Sequence, residues 1–197
     1  THQDNPYKHR IQALIASSHF FSGEYEEAAE AFSQANLNLL NPQERDDMTY
    51  RMATCNLKTG NMKEAAIWYD VLYNISNSYD EDCTYYTAYI RYTQNRHEEA
   101  MQGFTSLQES EKYGSLAPYY IAEIHLQQKQ TKEAELVAKS YLSKYSNQEH
   151  TTEMQRILGC AYYKQGKYHE ALQPFSTYMN ETNEPRRDAL YMYGIAS

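Results

Sequence analysis

Small and apolar residues along this chain recur at helical spacing in blocks, and the blocks themselves repeat. Five times a small residue in one periodic segment is followed twelve residues later by an alanine in the next: Ala16 and Ala28, Ala53 and Ala65, Ala88 and Ala100, Ala122 and Ala134, Gly159 and Ala171. The alanines are separated by 37, 35, 34 and 37 residues. A large ring stands four residues after the alanine in four blocks, as Phe32, Tyr69, Phe104 and Phe175, one helical turn along the same face. Ala138 takes that place in the fourth block. The pattern predicts helices throughout and no strands.

Self-similarity at such a period is the mark of stacked helix pairs. Two antiparallel helices approach closely only where small side chains meet, which accounts for one small pair per block. Between the two segments of each block lies Gly23, Gly60, Asn95 or Gly166, a residue suited to the left-handed conformation that ends a helix. Lys129 departs from that rule in the fourth block. Polar segments at 41–47, 77–82, 113–115, 145–152 and 183–188 separate the blocks. Ser115 is expected to cap the first helix of the fourth block, with Pro118 in its opening turn.

Composition changes this picture in one respect. The chain has 197 residues, 41% of them hydrophobic and 22% charged, ordinary values for a folded protein. Tyrosine is the outlier, with 21 copies against one tryptophan. A ring that packs like a hydrocarbon but scores as polar explains a mean hydropathy of -0.85 in a chain with a clear core pattern. A net charge of -8 argues against nucleic acid as a partner. No apolar run approaches the length of a membrane span. Cys55, Cys83 and Cys160 are widely spaced, which points to neither a disulfide framework nor a zinc site, and their redox state is left open.

The residues Gly159, Tyr162, Gly166, Tyr168, Ala171 and Phe175 resemble the consensus of the tetratricopeptide repeat (TPR). The resemblance implies an all-α, right-handed α-α superhelix of about five helix pairs, a single solenoid covering residues 1–197. Its repeats fall at 9–42, 46–79, 81–114, 115–148 and 152–185, with a partial one at 187–197. The family's tryptophan early in the first helix is absent, replaced by Gln12, Thr49, Thr84, Pro118 and Gln155. The last segment, "RRDALYMYGIAS", has the register of a first helix, so the chain is expected to be a segment of a longer array. The phrasing of the repeats resembles long envelope proteins of the Bacteroidetes type, which implies a bacterial periplasm or cell envelope, with the cytoplasm as the alternative.

In this family the first helices line a concave face that holds peptides or proteins. Carried over, that face includes Phe20, Phe21, Tyr50, Tyr85, Tyr89, Tyr92, Tyr119, Tyr163 and Tyr191, with Asp47, Lys58, Asp82, Glu123, Arg156 and Lys164 among them. The binding set expected from this is Tyr50, Tyr85, Tyr89, Tyr92, Tyr119, Glu123, Arg156 and Tyr163. Rings at helical spacing also build cores, so part of the set is expected between repeats. Mixed charges favour a polar peptide, or a glycan stacked on the tyrosines, over a uniformly charged ligand. The carboxylate-gripping cluster of chaperone-binding relatives falls on Ala13, Ser17, Arg51, Asp82 and Tyr86, of which only Arg51 suits the task.

Catalytic signatures are missing from the sequence: no HExxH, GxSxG or Gly-rich phosphate loop occurs. His19 and His125 stand where the family often has Tyr and are expected as buried, satisfied imidazoles. Cys160 has Arg156 one turn earlier but no histidine nearby in the frame, and is expected to be inert. Glu26, Glu27, Glu98 and Glu99 open second helices, where carboxylates suit the helix dipole. The expected function is therefore a non-enzymatic scaffold without cofactor or metal that binds a protein or peptide, with glycan binding as the alternative.

Overall fold

The structure is a computed structural model that describes residues 5–145 and 150–197. All regular elements among these residues are helical. They are α1 (Pro6–Ser22), α2 (Tyr25–Ser33), α3 (Pro42–Lys58), α4 (Met62–Ile75), α5 (Asp80–Thr93), α6 (His97–Ser106), α7 (Ala117–Gln127), α8 (Thr131–Lys144), α9 (Thr151–Lys164), α10 (Tyr168–Glu181) and α11 (Arg187–Ala196), with two short 3₁₀ turns at Leu37–Leu39 and Asn77–Tyr79. The arrangement is an all-α, TPR-like solenoid of helix pairs.

Each pair is joined by the same turn. The backbone N–H of Glu24, Asn61, Arg96, Gln130 and Lys167 donates to the carbonyl of His19, Asn56, Arg91, His125 and Tyr162, at 2.8–3.0 Å. One residue earlier, Gly23, Gly60, Asn95, Lys129 and Gly166 donate to the carbonyl three residues back. These two bonds satisfy the last carbonyls of the first helix and require a left-handed residue between them. The φ angles are +79° at Gly23, +78° at Gly60, +76° at Gly166, +60° at Asn95 and +62° at Lys129. Lys129 therefore adopts the conformation its residue type disfavours, because the two flanking hydrogen bonds outweigh a strain of roughly 1–2 kcal/mol.

The small positions are buried as their period requires. Ala16, Ala28, Ala53, Ala65, Ala100, Ala122, Ala134 and Ala171 are fully buried, and Ala88 is 1% exposed. The rings one turn on, Phe32, Tyr69, Phe104 and Phe175, are at most 1% exposed. At Gly159 even a methyl group would not fit, since an added Cβ would lie 2.7–2.9 Å from three carbons of the Phe175 ring. The cap of α7 is corrected: the residue before it is Leu116, not Ser115, and no side chain caps the helix, while Pro118 does sit in the first turn. Chain geometry explains the change, since α6 ends at Ser106 and the turns that follow run on through residue 116.

The contacts divide the chain into two compact units, Thr1–Ile90 and Arg91–Ser197. In the first, Ala28 and Phe32 of α2 share a core with Ala13 and Ala16 of α1 and with Met48, Met52 and Cys55 of α3. A second cluster joins Ala53, Ala65, Tyr69 and Leu72 to Cys83 and Ile90. In the second unit, Ala134, Ala138 and Tyr141 of α8 pack on Met154, Ile157, Leu158 and Ala161 of α9, and Ala171, Phe175 and Tyr178 of α10 enclose Cys160 and Ala189. Each second helix thus closes the core under the first helix of the next repeat.

Candidate functional site

In the first unit, α1 and α3 frame a groove lined by Phe20, Phe21, Asp47, Tyr50, Arg51 and Tyr79. Phe20 and Phe21 end α1 and meet edge to face at 5.5 Å. Tyr50 stacks on Tyr79 with centroids 4.9 Å apart and planes at 21°. The Tyr79 hydroxyl donates to Asp47 Oδ1 at 2.6 Å. Burial, and then this bond to a carboxylate, push the Tyr79 phenol up to about 12, so it stays a donor at any physiological pH. The Arg51 guanidinium lies 4.8 Å from the centre of the Phe21 ring and donates to Ser17 Oγ at 2.9 Å, while Ser17 in turn donates to the Ala13 carbonyl at 2.8 Å. The groove is an aromatic wall carrying one carboxylate and one guanidinium, each held in place by a neighbour.

Tyr85 and Tyr89 lie on α5 with half-buried rings 6.5 Å apart, and Tyr85 also meets Tyr86 edge to face at 5.1 Å. Tyr86 itself stacks at 4.9 Å on the fully buried Tyr69, which makes it a core ring. The same stack recurs in the second unit as Phe104 on Tyr120 at 4.6 Å, and the Tyr50–Tyr79 stack recurs as Tyr119 on His150 at 4.9 Å. Tyr92 accepts a hydrogen bond from Gln127 Nε2 at 2.9 Å and meets Tyr120 edge to face. Tyr163 is half-buried against Tyr168 at 5.2 Å. Burial raises the phenols of Tyr50, Tyr92 and Tyr119, that of Tyr119 to about 12, so none carries charge near neutrality.

Glu123 and Arg156 are placed differently from the tyrosines. They are 4% and 1% exposed, and Arg156 Nη2 pairs with Glu123 Oε1 while its Nε donates to Glu153 Oε2 at 2.6 Å. The arginine joins α7 to α9 beneath a cleft lined also by Gln127, Lys164, Arg186 and Asp188. A buried ion pair of this kind locks the relative position of two helices more than it offers a surface.

His19 and His125 are corrected: neither is a buried imidazole. Each is partly exposed near the end of its first helix, and its Nδ1 hydrogen-bonds at 2.6 Å to the side chain five residues on, Glu24 Oε2 or Gln130 Oε1. They clasp the turn from outside. Asn56 and Asn61 make the equivalent clasp in the second repeat, at 3.2 Å. Cys55, Cys83 and Cys160 are buried and unlinked. Burial pushes the Cys55 thiol up to about 11, the Cys83 thiol up to about 12, and that of Cys160 above its ordinary range despite the adjacent arginine, so none is an activated nucleophile. Among the described residues no three His, Cys, Asp or Glu side chains gather as metal ligands, and no helix is long and apolar enough to cross a membrane.

Tyr79 was outside the sequence-derived set, because it lies in the short 3₁₀ turn at Asn77–Tyr79, where helical register does not extend. A signal existed nonetheless. Tyr79 and His150 each stand nine residues before the small position of the following helix, Ala88 and Gly159, so the stacking partner is itself a repeat position.

Residues 14–81 match the family model of the tetratricopeptide repeat. No curated protein sequence matches the chain. Among solved structures, the MamA protein shares the fold with a TM-score of 0.71 at 12% identity, over 87% of this chain and 90% of that one. PilF of Pseudomonas aeruginosa gives 0.68 at 17% identity, over 95% and 88%. YrrB, described as a TPR protein with an unusual peptide-binding site, gives 0.70 at 14% identity, over 91% and 89%. Residues 14–81 thus match the tetratricopeptide repeat by sequence, and over most of its length the chain shares the fold of these solved structures.

Proposed function

We propose that the chain is a non-catalytic scaffold that binds a peptide segment of a partner protein, with the groove of Phe20, Phe21, Asp47, Tyr50, Arg51 and Tyr79 as a principal contact. The observation that carries this reading is the combination found there: aromatic walls, plus a carboxylate and a guanidinium fixed by hydrogen bonds. Rings with few torsions to freeze supply contact area at low entropic cost, and pre-positioned polar groups fix the direction of a backbone. The neighbouring charges of opposite sign suit a polar, roughly neutral peptide. Half-buried Tyr85, Tyr89, Tyr92, Tyr119 and Tyr163 offer the same chemistry elsewhere on the first helices, and YrrB, which shares the fold, carries a peptide-binding site.

Selection of a random peptide library on the immobilised chain, followed by calorimetric titration of the selected peptides, tests this. Phe21→Ala and Tyr50→Ala are expected to weaken binding by at least tenfold, about 1.4 kcal/mol each, with unchanged circular dichroism. Peptides that bind both variants as they bind the unaltered chain would remove the groove from the reading. Selection that yields no peptide, beside retention of a starch-like oligosaccharide, would favour the glycan alternative.

A further inference from the structure

In the second unit, the turns that follow α6 and the side chains of α8 enclose a cavity of about 330 Å³. Glu109 and Gly114 line it from the turns, and Val137, Tyr141, Lys144 and Tyr145 from α8 and its end. The Tyr141 and Tyr145 rings stand side by side with centroids 4.9 Å apart, and the Tyr145 hydroxyl donates to the Gly114 carbonyl at 3.4 Å. The Lys144 ammonium lies 5.1 Å from the centre of the Tyr145 ring. No side chain could fill the space from Gly114, because a Cβ there would run into the carbonyl oxygens of Ser110 and Gln108.

The corresponding place in the first unit is filled by a ring. Counted from the alanine of each second helix, Val137 corresponds to Trp68 in α4, and Glu109 to Leu37. Trp68 packs both on the cluster of α1, α2 and α3 that contains Leu37 and on the cluster of its own helix. In the second unit a short aliphatic side chain and a carboxylate stand at those two positions, and the cavity takes the place of the indole. Voids of this size are few in a packed protein, and a concavity of roughly 300–1,000 Å³ with aromatic walls and few polar groups is the form of a binding site.

We propose that this cavity docks a tryptophan side chain presented by a segment of a partner protein, with the ring against Tyr145 and the indole N–H donating to Glu109. The chemistry of the occupant is read from the chain itself. An indole closes the equivalent place, and the exchange of Leu37 for Glu109 supplies an acceptor for the one donor an indole has. Leu136, Ser140 and Lys144, all exposed, run along α8 at i, i+4 and i+8, a surface for the residues on either side of the docked ring. This docking is independent of peptide binding in the groove of the first unit.

A random peptide library is selected on the unaltered chain and depleted on Val137→Trp, in which the introduced ring fills the cavity as Trp68 fills its counterpart. Surviving peptides are expected to carry a tryptophan, to lose affinity by at least tenfold when it is changed to alanine, and to shift the methyl resonances of Leu136 and Val137 saturably. Survivors without tryptophan, survivors that shift only other methyls, or no survivors would overturn the proposal. A second measurement needs no variant: N-acetyl-tryptophanamide should shift those two methyls of the unaltered chain at concentrations at least tenfold below N-acetyl-leucinamide, and an equal response to both would also overturn it. Selected peptides that bind no tighter than N-acetyl-tryptophanamide would assign the cavity to a free aromatic molecule and overturn the docking of a protein segment.

Discussion

Replacing Gly159 by alanine opposes two effects of known sign. In a helix interior the change by itself stabilises by about 1 kcal/mol, because glycine costs backbone entropy. At this position the new Cβ would lie 2.7–2.9 Å from three carbons of the fully buried Phe175 ring. Carbon atoms in ordinary contact sit about 3.5–4.0 Å apart, so ring or helix must retreat by roughly 0.8 Å. The ring shares its cluster with Cys160, Ala171, Tyr178 and Ala189 and cannot move without disturbing them. Overpacking of this kind costs roughly 1–3 kcal/mol, which exceeds the helical gain and leaves a net loss of about 1 kcal/mol. Because stacked repeats open locally, the readout is native-state hydrogen exchange of α9 and α10 beside denaturant unfolding followed by circular dichroism. Adding Phe175→Leu should relieve the clash, with a favourable coupling of about 1 kcal/mol between the two changes. A Gly159→Ala variant stabilised by about 1 kcal/mol would show that α9 and α10 are not nested as described, and the steric reasoning would fail with it.

Three further outcomes follow from other sites. Lys129→Gly releases the left-handed strain at φ +62° and should raise stability by about 0.5–1 kcal/mol, whereas Lys129→Val should lower it; thermal unfolding of both decides. Glu135 is held down to about 2, first by the hydrogen bond from Lys139 and then by those from Lys167 and Gln165. A depressed carboxyl stabilises the fold above its ordinary value of 4.5, and that contribution is lost as the pH falls from there through about 2. Solvent screening limits it to at most about 1 kcal/mol, so Glu135→Gln should flatten the acid limb of stability between these values and change little below about pH 2. Tyr89→Ala with Tyr119→Ala should weaken binding of a selected peptide while helicity persists; undiminished affinity would restrict the binding surface to the groove of the first unit.

The positions that sterics alone decides were legible in the sequence. A small residue at a helix crossing and a ring one turn on have few substitutes, so Ala28, Ala65, Phe32 and Tyr69 announced their burial by spacing. Lys129 was opaque because backbone hydrogen bonds imposed its left-handed conformation against its own preference. His19 and His125 were misread because their partners, Glu24 and Gln130, lie across a turn, where helical periodicity says nothing about which way a ring points. Arg156 shows the limit for the candidate site. Its place on the face of α9 was readable, but not that Glu123 and Glu153 would draw it to 1% exposure. Rings divide in the same way: Tyr86 and Tyr120 stack into the core on Tyr69 and Phe104, while Tyr50 and Tyr119 stack on Tyr79 and His150, and only side-chain packing separates these classes.

The claim that a peptide is held by aromatic walls and fixed charges in the first unit is tested most directly by nuclear magnetic resonance titration of the isotope-labelled chain with a selected peptide. The account predicts saturable shifts concentrated on Phe20, Phe21, Tyr50, Arg51 and Tyr79. Shifts confined to residues outside that groove, with these five unmoved at saturation, would contradict it.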